Sequence, residues 1–381
     1  MSETLLKGEL VKRERNYGID LLRILSMFMV VLLHVNNFGG LLGYYKEISL
    51  GSVFVWGTEA FAICAVNVYA MISGYVLFNS KFKLKRILQL YLEVFFFNLL
   101  SYVLIIITQN GWVNVKEFIK GIVFILPLKG GAFWYFKAYF LLFFIFPLLN
   151  IVVKNMSKKQ FILLFAVIGV FICILSQYGY DWGFNRGYSF VWLVALYFVG
   201  AYFKKFGLLK ISALKSFIVY CCLSVLIVLV LVVNKLLPPL QMDTVDNVLK
   251  FKYSPYAYTS ILVVLQAVFL FNSFAKIQVK SAFWQKVLLF VSQLTFGIYA
   301  VHCTEFGKSL FKYFAFITEY SVWLIIPFTI GCALLVFVVC AIITWIKQLI
   351  FKFTRIDKLT NITGDFIQGK ISEFAEKKSA E

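Results

Sequence analysis

Among 381 residues there are only two histidines, and one of them sits inside a long apolar run. That run, from Gly18 to Phe38, also carries Asp20 and Arg23. An imidazole can take a proton near neutral pH, a guanidinium can hold or polarise an anionic group, and a carboxylate can orient either. Eleven residues at about 100° each bring a helix back to within roughly 20° of its starting face. Arg23 and His34 therefore share one stripe, about 16 Å apart at a rise of about 1.5 Å per residue. Asp20, three residues before Arg23, lies on the same side, and Met27 and Val30 fill the stripe between. Ionisable groups in a membrane helix are costly, which marks all three as candidates for function. Two plainer roles also fit these residues. Asp20 and Arg23 could form a boundary pair reaching the headgroups, and His34 could bond to a neighbouring helix.

Three further stretches carry polar groups at telling positions. Ser73-Gly74 falls near the inner end of the second apolar segment and permits close helix approach. Lys81, Lys83, Lys85 and Arg86 follow it, a basic run able to cradle phosphates and equally able to anchor a cytoplasmic loop. Trp134 and Tyr135 stand where an outer aromatic belt belongs, with Lys137 expected to snorkel. Tyr299 and His302 close the segment Thr295–His302. Glu59 is the nearest plausible carboxylate partner for a histidine in the outer half, and Glu93 is a possible partner for Arg23. Two histidines without a carboxylate cluster make a poor ligand set, so no metal is implied.

The elements that must hold these residues are membrane helices. The chain is 61% hydrophobic, 19% aromatic and 14% charged, too apolar for a soluble protein of this length. Its formal charge of +19 is explained by topology and anionic lipid rather than nucleic acid. The seven cysteines form no CxxC pair and read as small buried hydrophobes. About ten spans are expected, near 18–38, 52–78, 87–108, 134–153, 161–176, 188–203, 216–237, 258–275, 286–304 and 322–346. The first is expected to be retained rather than cleaved, since Asp20 and Arg23 break its core and no small-residue cleavage site follows.

Lysine and arginine concentrate on one set of loops, as at Lys81–Arg86, Lys154–Lys159, Lys204–Lys215 and Lys276–Lys286. The alternate loops are sparser, with Lys46 alone in one and Arg186 in another. The positive-inside rule then puts both termini in the cytoplasm. The fold expected is an all-α bundle over residues 1–346, with a basic amphipathic tail over 347–381 lying on the inner membrane surface. In that tail Leu349, Ile350, Phe353, Ile356 and Leu359 recur at helical spacing. Two long outer loops stand out. One holds an apolar run from Phe118 to Leu128, suited to a re-entrant helix, and residues 238–257 suit a lid or an ordinary solvated loop.

The order of these elements resembles the membrane acyltransferase-3 family. The resemblance rests on Asp20, Arg23 and His34 with their arginine-x10-histidine spacing, on Ile72-Ser73-Gly74-Tyr75 before basic residues, on Phe133-Trp134-Tyr135 with Tyr139 and Pro147, and on Phe296-Gly-Ile-Tyr299-x-x-His302. It covers nearly the whole chain, and four ordered motifs are more specific than any one. It implies transfer of an acyl group, usually acetyl, from cytoplasmic acyl-CoA to an acceptor across the membrane. It also implies that Arg23 and His34 matter to catalysis.

The reading is thus an integral cell-membrane O-acyltransferase for a hydroxyl of a cell-surface or capsular polysaccharide, or of its lipid-linked precursor. His34 is the expected base or transient acyl carrier, Arg23 the donor's anchor with Asp20 holding it, and His302, Glu59 and Tyr299 the second rank. Lys83, Arg86 and Ser73 join Arg23 as expected cofactor contacts. A transporter or flippase for a glycan or lipid intermediate would also use intramembrane charges, but needs no acyl-CoA. A structural membrane subunit leaves Arg23 and His34 without a role.

Overall fold

A computed structural model describes residues 15–108, 126, 133–174, 183–237, 240–243, 248–251 and 254–380. The apolar run from Phe118, Gly130-Gly131, Pro238-Pro239 and Asp246 fall largely outside the described residues. In chain order the helices are α1 (Tyr17–Phe38), α2 (Leu41–Tyr44), α3 (Leu50–Ala62), α4 (Ala65–Leu77), α5 (Leu84–Thr108), α6 (Trp134–Asn155) and α7 (Lys158–Val167). A π-helical stretch, Ile168–Ile174, extends α7. Then come α8 (Phe190–Phe206), α9 (Ala213–Leu236), α10 (Ile261–Ala275), α11 (Ala282–His302), α12 (Glu305–Leu310), α13 (Ile325–Phe353) and α14 (Ile356–Ala380). One antiparallel pair, β1 (Leu240–Asp243) with β2 (Val248–Phe251), interrupts the helices, with Leu240 opposite Phe251.

The protein is a multi-pass membrane protein, and among the described residues its regular structure is helical apart from that small ribbon. Among the described residues six helical stretches are long and apolar enough to cross a bilayer, or seven if the bent pair Ala282–His302 and Glu305–Glu319 counts as one. Ten spans are expected from the apolar runs, and two of the helices at the remaining expected positions are short. The 17-residue α8 and the 15-residue α10 rise about 26 and 23 Å at 1.5 Å per residue, short of a hydrocarbon core of about 30 Å. A hydrophobic run marks a buried helix as readily as a spanning one.

The first span is the hub. Asn16 caps α1 by accepting from the Ile19 N–H at 3.3 Å, and its own amide donates to the Ala275 carbonyl at 2.8 Å. The helix ends at Gly39, and Gly40 turns the chain at φ 83°. It packs against α3, α4, α10, α11 and α13, so most of its surface is protein-facing. Leu50–Leu77 is 72% buried, whereas α5 is 17% buried, so the first spans form the interior of the bundle and α5 lies at its edge.

Close packing and buried amides hold these helices together. The Gly74 position in α4 lies against the Tyr197 backbone, and Gly200 of α8 lies against the Met71 carbonyl, so neither position has room for a Cβ. The approach expected of Ser73-Gly74 is thus met from the other side by a second glycine. Asn67 donates to the Tyr258 carbonyl at 2.8 Å and accepts from the Trp192 indole at 3.0 Å. Asn150 donates to the Leu77 carbonyl and accepts from the Tyr197 hydroxyl at 2.7 Å. Lipid offers no hydrogen bonds, so such amides must find partners on other helices.

At the C-terminus α13 continues to Phe353, so Leu349, Ile350 and Phe353 lie on it, and Ile356 and Leu359 lie on α14. Arg355, at φ 59°, turns the chain between them. The tail helix docks on the start of α5 through Lys85–Asp365 at 3.0 Å, Gln89–Asn361 at 3.2 Å and Gln368–Leu84 at 3.0 Å. Its Leu359, Ile362, Phe366 and Phe374 remain exposed.

Candidate functional site

A cavity of about 890 Å³ runs through the bundle beside α1. Arg15, Arg23 and Arg86 line one end, and His34, Glu59 and Lys308 the other. Between them the wall is apolar and aromatic, with Met27, Val30, Tyr69, Ile72, Tyr135 and Tyr139. Arg23, Met27, Val30 and His34 of the helix 1 stripe thus line one space.

At the basic end the ion-pair geometry differs from expectation. Asp20 is buried, and its carboxylate accepts two bonds from Arg15, from Nε at 2.6 Å and from the second guanidinium nitrogen at 2.8 Å. The Ser292 hydroxyl adds a third at 3.2 Å. The Arg23 guanidinium stands farther off, at 3.7 Å. Asp20 therefore clamps Arg15 first and Arg23 second, because a bidentate fork outcompetes a single longer contact. The Asp20 bond holds Arg15 above its ordinary guanidinium value. Arg15 escaped the sequence reading because it precedes the apolar run; its basic neighbours there counted only toward topology. Tyr69 donates to the Arg23 backbone carbonyl at 3.1 Å, fixing that turn of α1 against α4.

The basic run after α4 divides. Arg86 is on the cavity wall, Lys85 is engaged by Asp365, and Lys83 is exposed and away from the wall. Ser73 lines the cavity, its hydroxyl donating to the Tyr69 carbonyl at 3.0 Å. Glu93 also lines the cavity but pairs with Lys347 at 2.9 Å, not with Arg23. Lys347 lies within the extension of α13 past residue 346, where the sequence reading had placed the tail.

At the far end the two histidines meet. Their ring centroids are 5.0 Å apart, and Phe311 packs on both, at 6.2 Å from His34 and 6.3 Å from His302. His302 is buried, and its Nδ1 is 2.6 Å from the Ile298 carbonyl. An acceptor there requires the proton on Nδ1, which leaves Nε2 as a bare lone pair with no partner among the described residues. The chain bends by 77° just past His302. Thr304 makes the bend, donating to the Val301 carbonyl at 2.8 Å and accepting from the Gly307 N–H at 3.0 Å. The segment beyond folds back so that Phe311 covers the histidine, whose ring is buried against His34.

Glu59 faces the same space but accepts from Asn36 at 2.9 Å rather than from a histidine. Asn36 lies two residues past His34 on α1 and reaches α3 more directly than either ring. Tyr299 accepts from the Phe136 N–H at 3.4 Å and packs on Phe133 and Tyr135. Trp134 and Tyr135, expected in an outer belt, line the cavity instead, with Trp134 against Tyr188 at 4.7 Å and stacked near Tyr258. Tyr188, Tyr258 and Cys303 are wall residues the sequence reading missed; as tyrosines in loops and a cysteine in an apolar run they carry no signal of their own.

Guanidinium groups at one end, a long apolar throat, and imidazoles with a carboxylate at the other can bind an extended amphipathic anion and present its far end to a base. The acyltransferase-3 family model, described as an acyltransferase domain, matches residues 16–345. No curated protein and no solved structure matches the chain.

Proposed function

From the premise that this chain belongs to the membrane acyltransferase-3 family, we propose that it moves an acyl group, acetyl in the simplest case, from cytoplasmic acyl-CoA to a hydroxyl of a cell-surface or capsular polysaccharide or its lipid-linked precursor. One observation carries the reading: Arg23 and His34 line a single cavity. The spacing of about 16 Å along α1 suits the reach of a pantetheine arm. The donor's phosphates would lie at Arg15, Arg23 and Arg86, where planar forks match phosphate oxygens. The thioester would reach His34 along the apolar throat.

His34 then takes the proton of the acceptor hydroxyl as the oxygen attacks the thioester carbonyl. The carbon–sulfur bond breaks, the CoA thiolate leaves, and the imidazolium returns the proton to it. In the acyl-carrier variant the imidazole nitrogen attacks first and the hydroxyl attacks the acyl-imidazole second. His302, with its free Nε2 beside His34, supports the acceptor side. Glu59, held by Asn36, offers a second acceptor for sugar hydroxyls.

The test is CoA release by protein purified in lipid nanodiscs, given acetyl-CoA and surface glycan, with acetyl esters on the glycan followed by mass spectrometry. Acyl-CoA-dependent ester formation supports the proposal. Glycan or lipid movement without acyl-CoA turnover would replace it with transport.

A further inference from the structure

Two histidines alone argued against a metal, but the fold brings a third donor to them. Cys303 follows His302, and its Sγ lies 4.0 Å from the Nδ1 of His34. One donor atom from each of His34, His302 and Cys303 lies within 4.8 Å of the others. We propose that these three side chains form a binding site for a zinc-class ion, and that the ion, when bound, holds the enzyme off.

Three donors no more than 4.8 Å apart lie within roughly 2.8 Å of a common centre, against bonds of about 2.0–2.1 Å to imidazole and 2.3 Å to thiolate. Small side-chain rotations close that gap in a trigonal arrangement, and a little more brings the donors to tetrahedral angles. The donor set itself, two imidazoles and a thiolate, suits Zn²⁺ and its spectroscopic substitute Co²⁺.

His302 carries the independent argument. It is 1% exposed, its Nδ1 is engaged by the Ile298 carbonyl, and its Nε2 is a buried lone pair without a partner among the described residues. A carbonyl bonded to one ring nitrogen is how metal-ligating histidines are commonly oriented, with the other nitrogen on the ion. His34 and Cys303 also line the cavity, so an ion can enter and the fourth position faces open space. Binding releases the thiol proton to the cavity. The inhibitory consequence rests on the function proposed above: a lone pair of His34 given to metal cannot take a proton from an acceptor.

The experiment is a titration of the chelator-stripped full chain in nanodiscs with Co²⁺, read by absorption, then displacement by Zn²⁺. One equivalent should bring a thiolate-to-cobalt charge-transfer band and four-coordinate d–d bands. Cys303→Ser should lose the charge-transfer band, and His302→Gln should keep it while weakening Zn²⁺ binding at least about tenfold. The Zn²⁺ concentration that halves CoA release, measured against each variant's own metal-free rate, should rise at least about tenfold in Cys303→Ser. The site is overturned if the wild type shows no thiolate band at one equivalent. It is equally overturned if the band persists in Cys303→Ser, or if His302→Gln binds Zn²⁺ as tightly as wild type. Binding without inhibition would keep the site but overturn its inhibitory role and count against His34 as base; acyl transfer with no metal binding would remove the site and leave the proposed function standing.

Discussion

A histidine that works as a base is expendable for folding, and His34 has the surroundings of such a residue. Its ring is partly buried among Phe38, Phe311 and His302 and borders open space. His34→Ala should lower acyl transfer by about 10²–10⁴-fold while the protein accumulates and inserts normally, checked by CoA release against membrane abundance. Full activity at normal abundance would sink the mechanism. Arg23→Ala should be as damaging, and Arg23→Lys should recover only part, because a point charge lacks the planar fork. Asp20 is different, because it touches no reacting group. Asp20→Asn removes the charge that clamps Arg15 and steadies Arg23, and Arg15 is half exposed, so water weakens the loss. The expected outcome is a rise of about three- to tenfold in KM for acyl-CoA with kcat nearly kept, from steady-state kinetics with the donor varied. A kcat loss as large as that of His34→Ala would place Asp20 in the chemistry itself.

Helices position these groups only if they approach closely enough, and the α4–α8 seam is where that is decided. Gly74 and Gly200 each lie against the partner's backbone, which cannot yield as a flexible side-chain end can. Gly74→Val or Gly200→Val must push the two helices apart. Overpacking of this kind costs about 1–3 kcal/mol, read as a fall in thermal midpoint in nanodiscs. Gly57 and Gly331 have open space where a Cβ would stand, so alanine there should leave the midpoint nearly unchanged. Helix α4 also carries Tyr69 and Ser73 on the cavity wall, so the seam variants should lose activity along with stability. Equal midpoints in seam and open-space variants would contradict this account.

For the whole molecule, the cavity has chemical meaning only with a direction across the membrane. On the ten-span reading, the loop charges predict both termini, Arg86 and the tail helix on the cytoplasmic side, with His34 and His302 in the outer half. Reporter fusions at the C-terminus and after Lys83 should therefore read cytoplasmic, and one within residues 238–257 should read external. A cytoplasmic signal from residues 238–257 would reverse the orientation and place the histidines on the donor's side. The tail helix, bonded to the α5 start by Lys85–Asp365 and Gln89–Asn361, leaves an apolar face for the inner leaflet in the same orientation.

What the sequence determined by itself was local and periodic. The stripe of Asp20, Arg23 and His34 follows from 3.6 residues per turn, the membrane class follows from composition, and the family from motifs in order. Close approach at Gly74 was legible too, because a missing side chain needs no partner to be noticed. What only the tertiary structure decided was pairing, both at the start of α1 and between separate helices. Arg15 took the Asp20 carboxylate, Lys347 took Glu93, and Asn36 took Glu59. Each outcome depends on which side chain arrives first at hydrogen-bonding distance, and that is set by helix rotation and crossing, not by type. The bend after His302 is the clearest instance. Turned by 77°, the chain brings Phe311 back onto both imidazoles, with Cys303 beside His34.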